Sequence, residues 1–243
     1  MTDTIPVRRY ATIDSTNLEA QRLAASGATG PMWIIADEQS GGRGRLGRTW
    51  VSKAGNLYVS LLLPVRASSL TIPQLSFVTA LAVHDTVAQF CGADIVRLKW
   101  PNDCLLDGAK VSGILCETAE GGQVVIGTGI NVAHSPEGLA YRTAHVSTHA
   151  PSVDVRAVFE AYASALLKRL SQWDGGRAFA GIMTAWNERA HGVSQPVQVV
   201  QGNRTITGTF TGLGSDGALI VTTADGARET IYAGDVTFTT AMA

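Results

Sequence analysis

Cysteine is scarce. Only three occur in 243 residues, at positions 91, 104 and 116. They make neither an even disulfide framework nor a paired zinc motif, so they are expected to pack as small hydrophobes with no chemistry of their own. Charge is also thin, at 16% of residues, against 45% hydrophobic ones. That balance favours apolar burial over chain entropy and excludes an intrinsically disordered chain. With 19 basic and 20 acidic residues there is no overall field to draw in nucleic acid, and any electrostatic site must be local. The longest apolar stretch, Leu57 to Val65, is interrupted by Ser60 and Pro64. It falls far short of the ~20 residues of a membrane span and reads as a buried strand. No basic segment followed by an apolar core opens the chain, so a cytoplasmic protein is expected. There is no G-x-x-x-x-G-K-[ST] phosphate loop and no G-x-S-x-G nucleophile elbow. The five histidines, at 84, 134, 145, 149 and 191, lack metal-ligand spacing.

The residues that are present divide the chain in two. Between Thr12 and Gly27, a capping box of Thr16 with Glu19 and a closing Gly27 predict a short helix. Met32–Ala36 and Leu57–Leu63 read as buried strands, with a loop from Ser40 to Trp50 between them. Pro73 near a start, apolar residues at Val78, Leu81, Val87 and Phe90, and Gly92 at the end predict a helix covering one sheet face. Ile95–Trp100, Val111–Glu117 and Val124–Val132 add three strands. Asp154 is placed to cap a helix with the stripe Val155, Val158, Phe159, Tyr162, Leu166, Leu170 and Trp173, and a second helix runs from Phe179 to Ala190. From Ser194 on, short alternating strands punctuated by Gly202-Asn203, Asp216-Gly217 and Asp225-Gly226 predict a small β-barrel. The expected fold class is α+β: a mixed β-sheet flanked by helices over residues 1–192, then a barrel over 193–243. The first part is expected to stay folded without the second.

Three clusters carry chemistry. Gly41-Gly-Arg-Gly-Arg-Leu-Gly-Arg-Thr-Trp50 has four glycines that free the backbone and three arginines whose forks match phosphate oxygens. Trp50 adds a flat face for a purine. The same stretch also reads as a solvated basic turn or an RNA-contacting segment. Its mutually repelling arginines predict a loop that is mobile until an anion neutralises it. Lys99-Trp-Pro-Asn-Asp103, with Lys110 seven residues on, can bring an ammonium and a carboxylate together where charge builds up in a phosphoryl or acyl transfer. Read plainly, it is two turns with surface charges. In Gly127-Thr-Gly-Ile-Asn131, small residues let a ligand approach the backbone, though a glycine in a strand also marks a bulge.

In order along the chain, Asp14-Ser-Thr-Asn17, Gln39 with Gly42-Arg-Gly-Arg-Leu-Gly-Arg-Thr-Trp50, Asn56-Leu-Tyr58, Lys99-Trp-Pro-Asn-Asp103, Lys110-Val-Ser-Gly-Ile-Leu115 and Gly127-Thr-Gly-Ile-Asn131 resemble the motifs of the biotin protein ligases. The resemblance spans Asp14 to Asn131. It implies a catalytic fold like that of class II aminoacyl-tRNA synthetases with an SH3-like C-terminal barrel. It also implies a two-step reaction: biotin and ATP, with Mg²⁺, give biotinoyl-5′-AMP and pyrophosphate, and a carrier lysine then takes the biotinoyl group. Biotin is a substrate, ATP and Mg²⁺ are co-substrate and activating ion, and no tightly bound prosthetic group is expected.

Carried over residue by residue, the resemblance makes Ser15, Thr16 and Asn17 a polar wall of the biotin pocket, reached also by Gln39. Gly42 and Arg43 belong to the loop that closes over biotin and the adenylate. Gly113, Leu115 and Gly129 line the biotin slot through the backbone. Arg45 and Arg48 face phosphates, Trp50 and Asn131 the adenine, and Lys99 and Asn102 the adenylate. Lys110 contacts the biotin carboxylate and the α-phosphate, and Asp103 orients the acceptor lysine or helps hold Mg²⁺, whose ligands are otherwise unassigned. Lys110, Arg45 and Asp103 are thus the expected catalytic residues. The region after Asn131 lacks a tryptophan that some family members have there. The implied partner is a biotin carboxyl carrier protein or a biotin-dependent carboxylase subunit, with neither DNA nor membrane, and with the ligase as monomer or weak homodimer. The Ser15-Thr16-Asn17 motif lies so early that no helix-turn-helix is expected before it. Two readings compete: a lipoate or octanoyl transferase, disfavoured by the arginine loop, and an RNA-binding module using that loop for phosphates.

Overall fold

Strand and helix boundaries follow the apolar periodicities closely in a computed structural model that describes residues 5–65 and 71–238. The elements run β1 (Val7–Ile13), α1 (Thr16–Ala25), β2 (Met32–Gln39), β3 (Leu57–Leu63), α2 (Thr71–Cys91), β4 (Val96–Lys99), β5 (Asp103–Leu106), β6 (Ala109–Thr118), β7 (Val124–Ile130), α3 (Val155–Trp173) and α4 (Phe179–Asn187), then β8 (Pro196–Gln201), β9 (Arg204–Leu213), β10 (Leu219–Thr222), β11 (Arg228–Ile231) and β12 (Asp235–Phe238). The first seven strands form one sheet in the order β1-β2-β3-β7-β6-β5-β4. Only β1 and β2 are parallel, so the sheet is mixed. The last five form an antiparallel sheet, β11-β10-β9-β8-β12.

Period-2 alternation assigns the two faces of the large sheet. Trp33, Ile35, Val59 and Leu61 pack in the main core with Leu81 of α2 and Tyr162 of α3. Ile34, Leu62 and Val125 point the other way, under Ala20, Leu23 and Ala24 of α1. Because α1 shields only part of that second face, the rest is left for a site. Asp154 caps α3 as expected, accepting from the Ala157 amide at 2.7 Å. Gly27 at φ +89° closes α1, and Gly92 at φ +93° follows α2.

Several expectations need correction. The capping box at Thr16 does not form: Ser15 is the N-cap, and it makes no side-chain capping bond. Instead the Thr16 backbone amide and hydroxyl both reach Gln39 Oε1, at 2.8 and 3.1 Å, and Glu19 accepts from the Tyr10 hydroxyl. Strand β1 escapes the apolar pattern because it is an edge strand with most positions exposed. Asp103 is not in a turn but starts β5, whose hairpin to β6 is closed by Asp107 and Gly108 at φ +49° and +70°. Strand β12 also went unread, being only four residues long.

The two sheets share one core. Phe77 and Trp186 belong to the same buried cluster as Phe210, Leu219 and Val236 of the small sheet. Trp100 Nε1 donates to the Gly217 carbonyl at 3.0 Å, and Leu213 N donates to Asn187 Oδ1 at 2.9 Å. Gly217, at φ +88°, fits so closely that a Cβ there would lie 2.4 Å from the Phe77 ring. A chain ending at Gly192 would therefore uncover Phe77, Trp100 and Trp186, against the expectation of a self-sufficient first part. Such a truncation should lose cooperative urea unfolding, measured by circular dichroism, rather than keep a native-like transition.

Helices α2 and α3 are joined by a charged pair in which Arg169 donates to both Asp85 oxygens, at 2.7 and 3.0 Å. Burial alone would raise the Asp85 carboxyl, but His84 and Arg169 outweigh it and hold it at about 2. A depressed acid stabilises the fold fully above its unfolded value of ~4 and loses that contribution as pH falls toward the folded value. Asp85→Asn should therefore flatten the fall in urea midpoint between about pH 4 and pH 2 that the wild-type protein shows.

Candidate active site

Backbone register builds the floor of the site. Strand β7 pairs with β3 and β6 so that Ser60, Gly127 and Leu115 form one row across the sheet, and Tyr58, Gly129 and Gly113 the next. Glycine at three of these six positions leaves bare backbone, and two side chains lie flat on it. A Cβ on Gly127 would sit 2.1 Å from Asn17 Oδ1; one on Gly129 would sit 2.5 Å from Trp50 Nε1, and one on Gly113 3.0 Å from Trp50 Cζ3. None of the three has a positive φ, so close approach and not backbone conformation explains them.

A polar wall rises from this floor at the start of α1. Ser60 Oγ lies 2.8 Å from Thr16 Oγ1 and 2.6 Å from Asn17 Oδ1, and Asn17 Nδ2 donates to the Leu115 carbonyl at 3.1 Å and to Glu117 at 2.8 Å. Gln39 Nε2 donates to Ser52 Oγ at 2.9 Å, and Ser52 Oγ donates to the Trp50 carbonyl at 2.9 Å. The wall is therefore tied to the far end of the arginine loop. Gly42 is packed into this tie: a Cβ there would lie 2.3 Å from the Trp50 carbonyl oxygen.

The loop arginines each find a partner in the chain. Arg43 Nη2 lies 3.0 Å from Glu117 on β6, Arg45 Nη1 donates to Asn102 at 3.1 Å, and Arg48 pairs with Asp235 on β12. Two of the three charges, on Arg43 and Arg48, are thus answered by carboxylates of the protein, whereas Arg45 meets a neutral amide and still faces Arg48. Leu46, at the tip, has φ +56° and is 80% exposed. Opposite the loop, Lys110 Nζ meets Asp103 at 2.7 Å and stands between two rings, 5.6 Å from the Trp50 centroid and 5.5 Å from that of Tyr141.

These elements enclose a cleft of about 640 Å³, within the range of small-ligand sites. Of the residues expected from the sequence, Ser15, Thr16, Asn17, Gln39, Arg43, Arg45, Arg48, Trp50, Lys99, Asn102, Asp103, Lys110, Gly113, Leu115 and Gly129 all line it. Two, Gly42 and Asn131, are not on that lining. Gly42 is used by the loop's own packing, and Asn131 is buried with its amide donating to the Ala144 carbonyl at 3.0 Å. Trp50 is seated on the glycine floor rather than held out toward solvent, its Nε1 buried with no hydrogen-bond partner among the described residues. Sequence reasoning named Tyr58 in a motif without giving it a role and missed Tyr141, Arg142, His191 and Asp235, all on the lining, and Glu117 beside it. Glu117 could have been found as the next same-face residue after Gly113 and Leu115 on β6. Nothing local marks Asp235, which a separate sheet delivers.

The electrostatics favour an anion. Arg43, Arg45, Arg48, Lys99, Lys110 and Arg142 line the cleft against Asp103 and Asp235. Burial lowers Lys99 below the usual lysine range, nearby Lys110 adds to this, and Asp103 opposes it. Burial likewise lowers Arg45 and lowers His191, the latter helped by Lys99 and Arg97. Burial pushes the Tyr58 hydroxyl up to about 12, keeping it a neutral donor to the Lys53 carbonyl. Among the described residues no three His, Cys, Asp or Glu side chains group as a metal cage. This donor set fits Mg²⁺ carried in by phosphate oxygens, with at most one or two carboxylates added.

A mixed sheet whose glycine floor, polar wall and arginine loop enclose an anion cleft defines a class, and the comparisons agree on it: the chain belongs to the biotin/lipoate A/B protein ligase family, whose model matches residues 10–131. Residues 195–238 match the biotin protein ligase C terminal domain. Among relatives, the biotin–acetyl-CoA-carboxylase ligase of Paracoccus denitrificans is 39% identical, over 94% of this chain and 98% of that one. The bifunctional ligase/repressor BirA of Bacillus subtilis is 30% identical, over 92% of this chain and 71% of its own. The biotin protein ligase of Aquifex aeolicus, solved in complex with biotin and ATP, superposes with a TM-score of 0.83 at 27% identity, over 96% of this chain and 98% of that one.

Gly129→Ala tests the floor. The added methyl overlaps the indole position, so Trp50 must leave it, and tryptophan emission should change relative to wild type. The same substitution in a Trp50→Phe background should leave emission nearly unaltered, since the atoms nearest a Cβ at Gly129 belong to Trp50 and to none of the other four tryptophans.

Proposed function

We propose that the cleft activates biotin with ATP to biotinoyl-5′-AMP and passes the biotinoyl group to a lysine of a biotin carboxyl carrier protein or biotin-dependent carboxylase subunit. The observation that carries this is the convergence of Lys110 and the three loop arginines on the same cleft as the polar wall of Ser15, Thr16, Asn17 and Gln39. In the first step a carboxylate oxygen bonds to the α-phosphorus and pyrophosphate leaves. In the second, a neutral amine attacks the acyl carbon, AMP leaves, and a proton is released.

The first step joins two anions, so its barrier is chiefly electrostatic. Lys110 is positioned to neutralise both, exchanging Asp103 for the biotin carboxylate and the α-phosphate. Its two flanking rings limit where the ammonium can go, which fixes the charge without a further hydrogen bond. Arg45 and Arg48 are the phosphate contacts, with Lys99 and Asn102 beside them. Mg²⁺, when bound, screens the polyphosphate charge. Asp103, released from Lys110, is left to orient the incoming lysine and accept its proton. The Trp50 ring, seated on the floor with its Nε1 turned toward Gly129, separates the acyl end from the nucleotide end.

The polar wall suits a urea-like head because each buried donor or acceptor must be matched. A cytoplasmic ligase acting as monomer or weak homodimer completes the reading; no helix among the described residues is long and apolar enough to cross a membrane.

Lys110→Ala should slow biotin-dependent pyrophosphate release by about 10²–10³, the usual cost of one electrostatic contact made in a transition state. Fold should be retained, as judged by an unchanged thermal midpoint. Biotin, and not lipoate, should drive the wild-type release; no release with either would refute the reading.

A further inference from the structure

The wall and the loop are joined by one carboxylate that neither the motifs nor the proposed chemistry uses. Glu117 ends the row of cleft-facing residues on β6, two positions beyond Leu115. One of its oxygens accepts from Asn17 Nδ2 at 2.8 Å and from Arg43 Nη2 at 3.0 Å; the other lies 3.3 Å from the same Arg43 nitrogen. Asn17 is itself fixed from three sides. Its oxygen lies 2.6 Å from the Ser60 hydroxyl, its nitrogen also donates to the Leu115 carbonyl, and Gly127 leaves only enough room for it to lie flat. A continuous chain therefore runs from the buried Ser60, through Asn17 and Glu117, to the loop arginine. Ser60 and Asn17 are buried, whereas Arg43 keeps 37% of its side chain exposed. The order in the chain thus falls off toward the loop, and Glu117 stands at the step.

The geometry points to Glu117 as a positioning residue that latches the arginine loop shut over the acyl end of the cleft, reporting to Arg43 whether the Asn17 wall is in place. This rests on the reading of that wall as the biotin contact. The latch needs no displacement of Asn17 when the acyl substrate arrives. Whatever immobilises the wall also holds Glu117 in the orientation Arg43 requires, so wall occupancy and loop closure are coupled through one shared oxygen. A merely structural ion pair would contribute equally with and without substrate. A latch predicts a substrate-selective effect, on the acyl substrate and not on the nucleotide, because the Arg45 and Arg48 contacts lie on other elements.

The experiment uses the full chain in four forms: wild type, Glu117→Gln, Arg43→Gln and the double variant. Limited trypsin digestion without ligand is read as the rate of cutting after Arg45 and Arg48, by fragment mass. Glu117→Gln keeps the amide-sized shape but not the charge, and should speed this cutting roughly three- to tenfold, the scale of a half-exposed charged contact. It should raise the KM for biotin by a similar factor and leave that for ATP and the thermal midpoint unchanged. In the Arg43→Gln background, adding Glu117→Gln should have no further effect on cutting. An equal effect in both backgrounds, or no change in cutting and biotin KM in either, would overturn the latch. Should Glu117→Gln not fold, Arg43→Gln alone decides: it must open the loop to trypsin, and unchanged cutting refutes the proposal. The digestion is independent of substrate, so a wild-type loop held by Glu117 in a protein with no biotin-dependent turnover would refute the functional reading and leave only the Glu117–Arg43 contact. A held loop with turnover but equal effects on the biotin and ATP KM would refute the latch alone.

Discussion

Bare backbone at Gly113, Gly127 and Gly129 is the constraint on which the rest of the site depends. Strand pairing brings these three positions together on one face, and that adjacency requires the β6–β7 register as it stands. A slip of one residue would turn the floor into the core and send Ile114 and Ile126 into the cleft. The floor in turn sets where Asn17 and Trp50 lie, since both occupy space a side chain would take. From Asn17 the polar wall follows, and from Trp50 one of the two rings that confine Lys110.

Charge is handled by pairing within the cleft. Arg43, Arg48 and Lys110 each meet a carboxylate, from β6, β12 and β5 respectively. These pairs are partly exposed and of little value to stability. Their worth is organisational: cations that would otherwise repel are held near one another, and an incoming anion exchanges one carboxylate partner for another instead of recruiting a dispersed set of charges. The cleft therefore pairs part of its positive charge and keeps an excess, from Arg45, Lys99 and Arg142, for the incoming anion.

The small sheet is part of the same device. Its rim supplies Asp235 to the loop, and its turn at Gly217 takes the Trp100 indole hydrogen bond, one residue after Lys99. The Lys99-to-Asp103 segment is thus supported from behind by a sheet that begins almost a hundred residues later. A shared core of Phe77, Trp186 and Phe210 makes that support rigid.

Local chemistry made much of this legible in one dimension. Glycine, arginine and short polar side chains cluster in motifs, so the loop, the Ser15-Thr16-Asn17 wall and Lys110 could be named from residue type and order alone, as could the apolar stripes of α2 and α3. Other features have no local signature. Edge strand β1 lacks alternation because most of its positions, on both faces, are exposed, and β12 is too short for a pattern to emerge. Thr16 looked like a cap because the sequence shows Glu19 three residues on, but not Gln39, which competes for the same hydroxyl. At Asn131 an amide beside glycines suits a ligand contact, and what the sequence does not show is that its Nδ2 donates to the Ala144 carbonyl. Which donors remain free is a question of distance among residues far apart in the chain. Sequence therefore determined the kinds of groups present and their order, whereas the tertiary structure alone decided their pairing: Glu117 to Arg43, Asp235 to Arg48, and Trp50 to a floor of glycines. The physical reason is that hydrogen bonds and ion pairs act over about 3 Å in space, and separation along the chain does not fix separation in space.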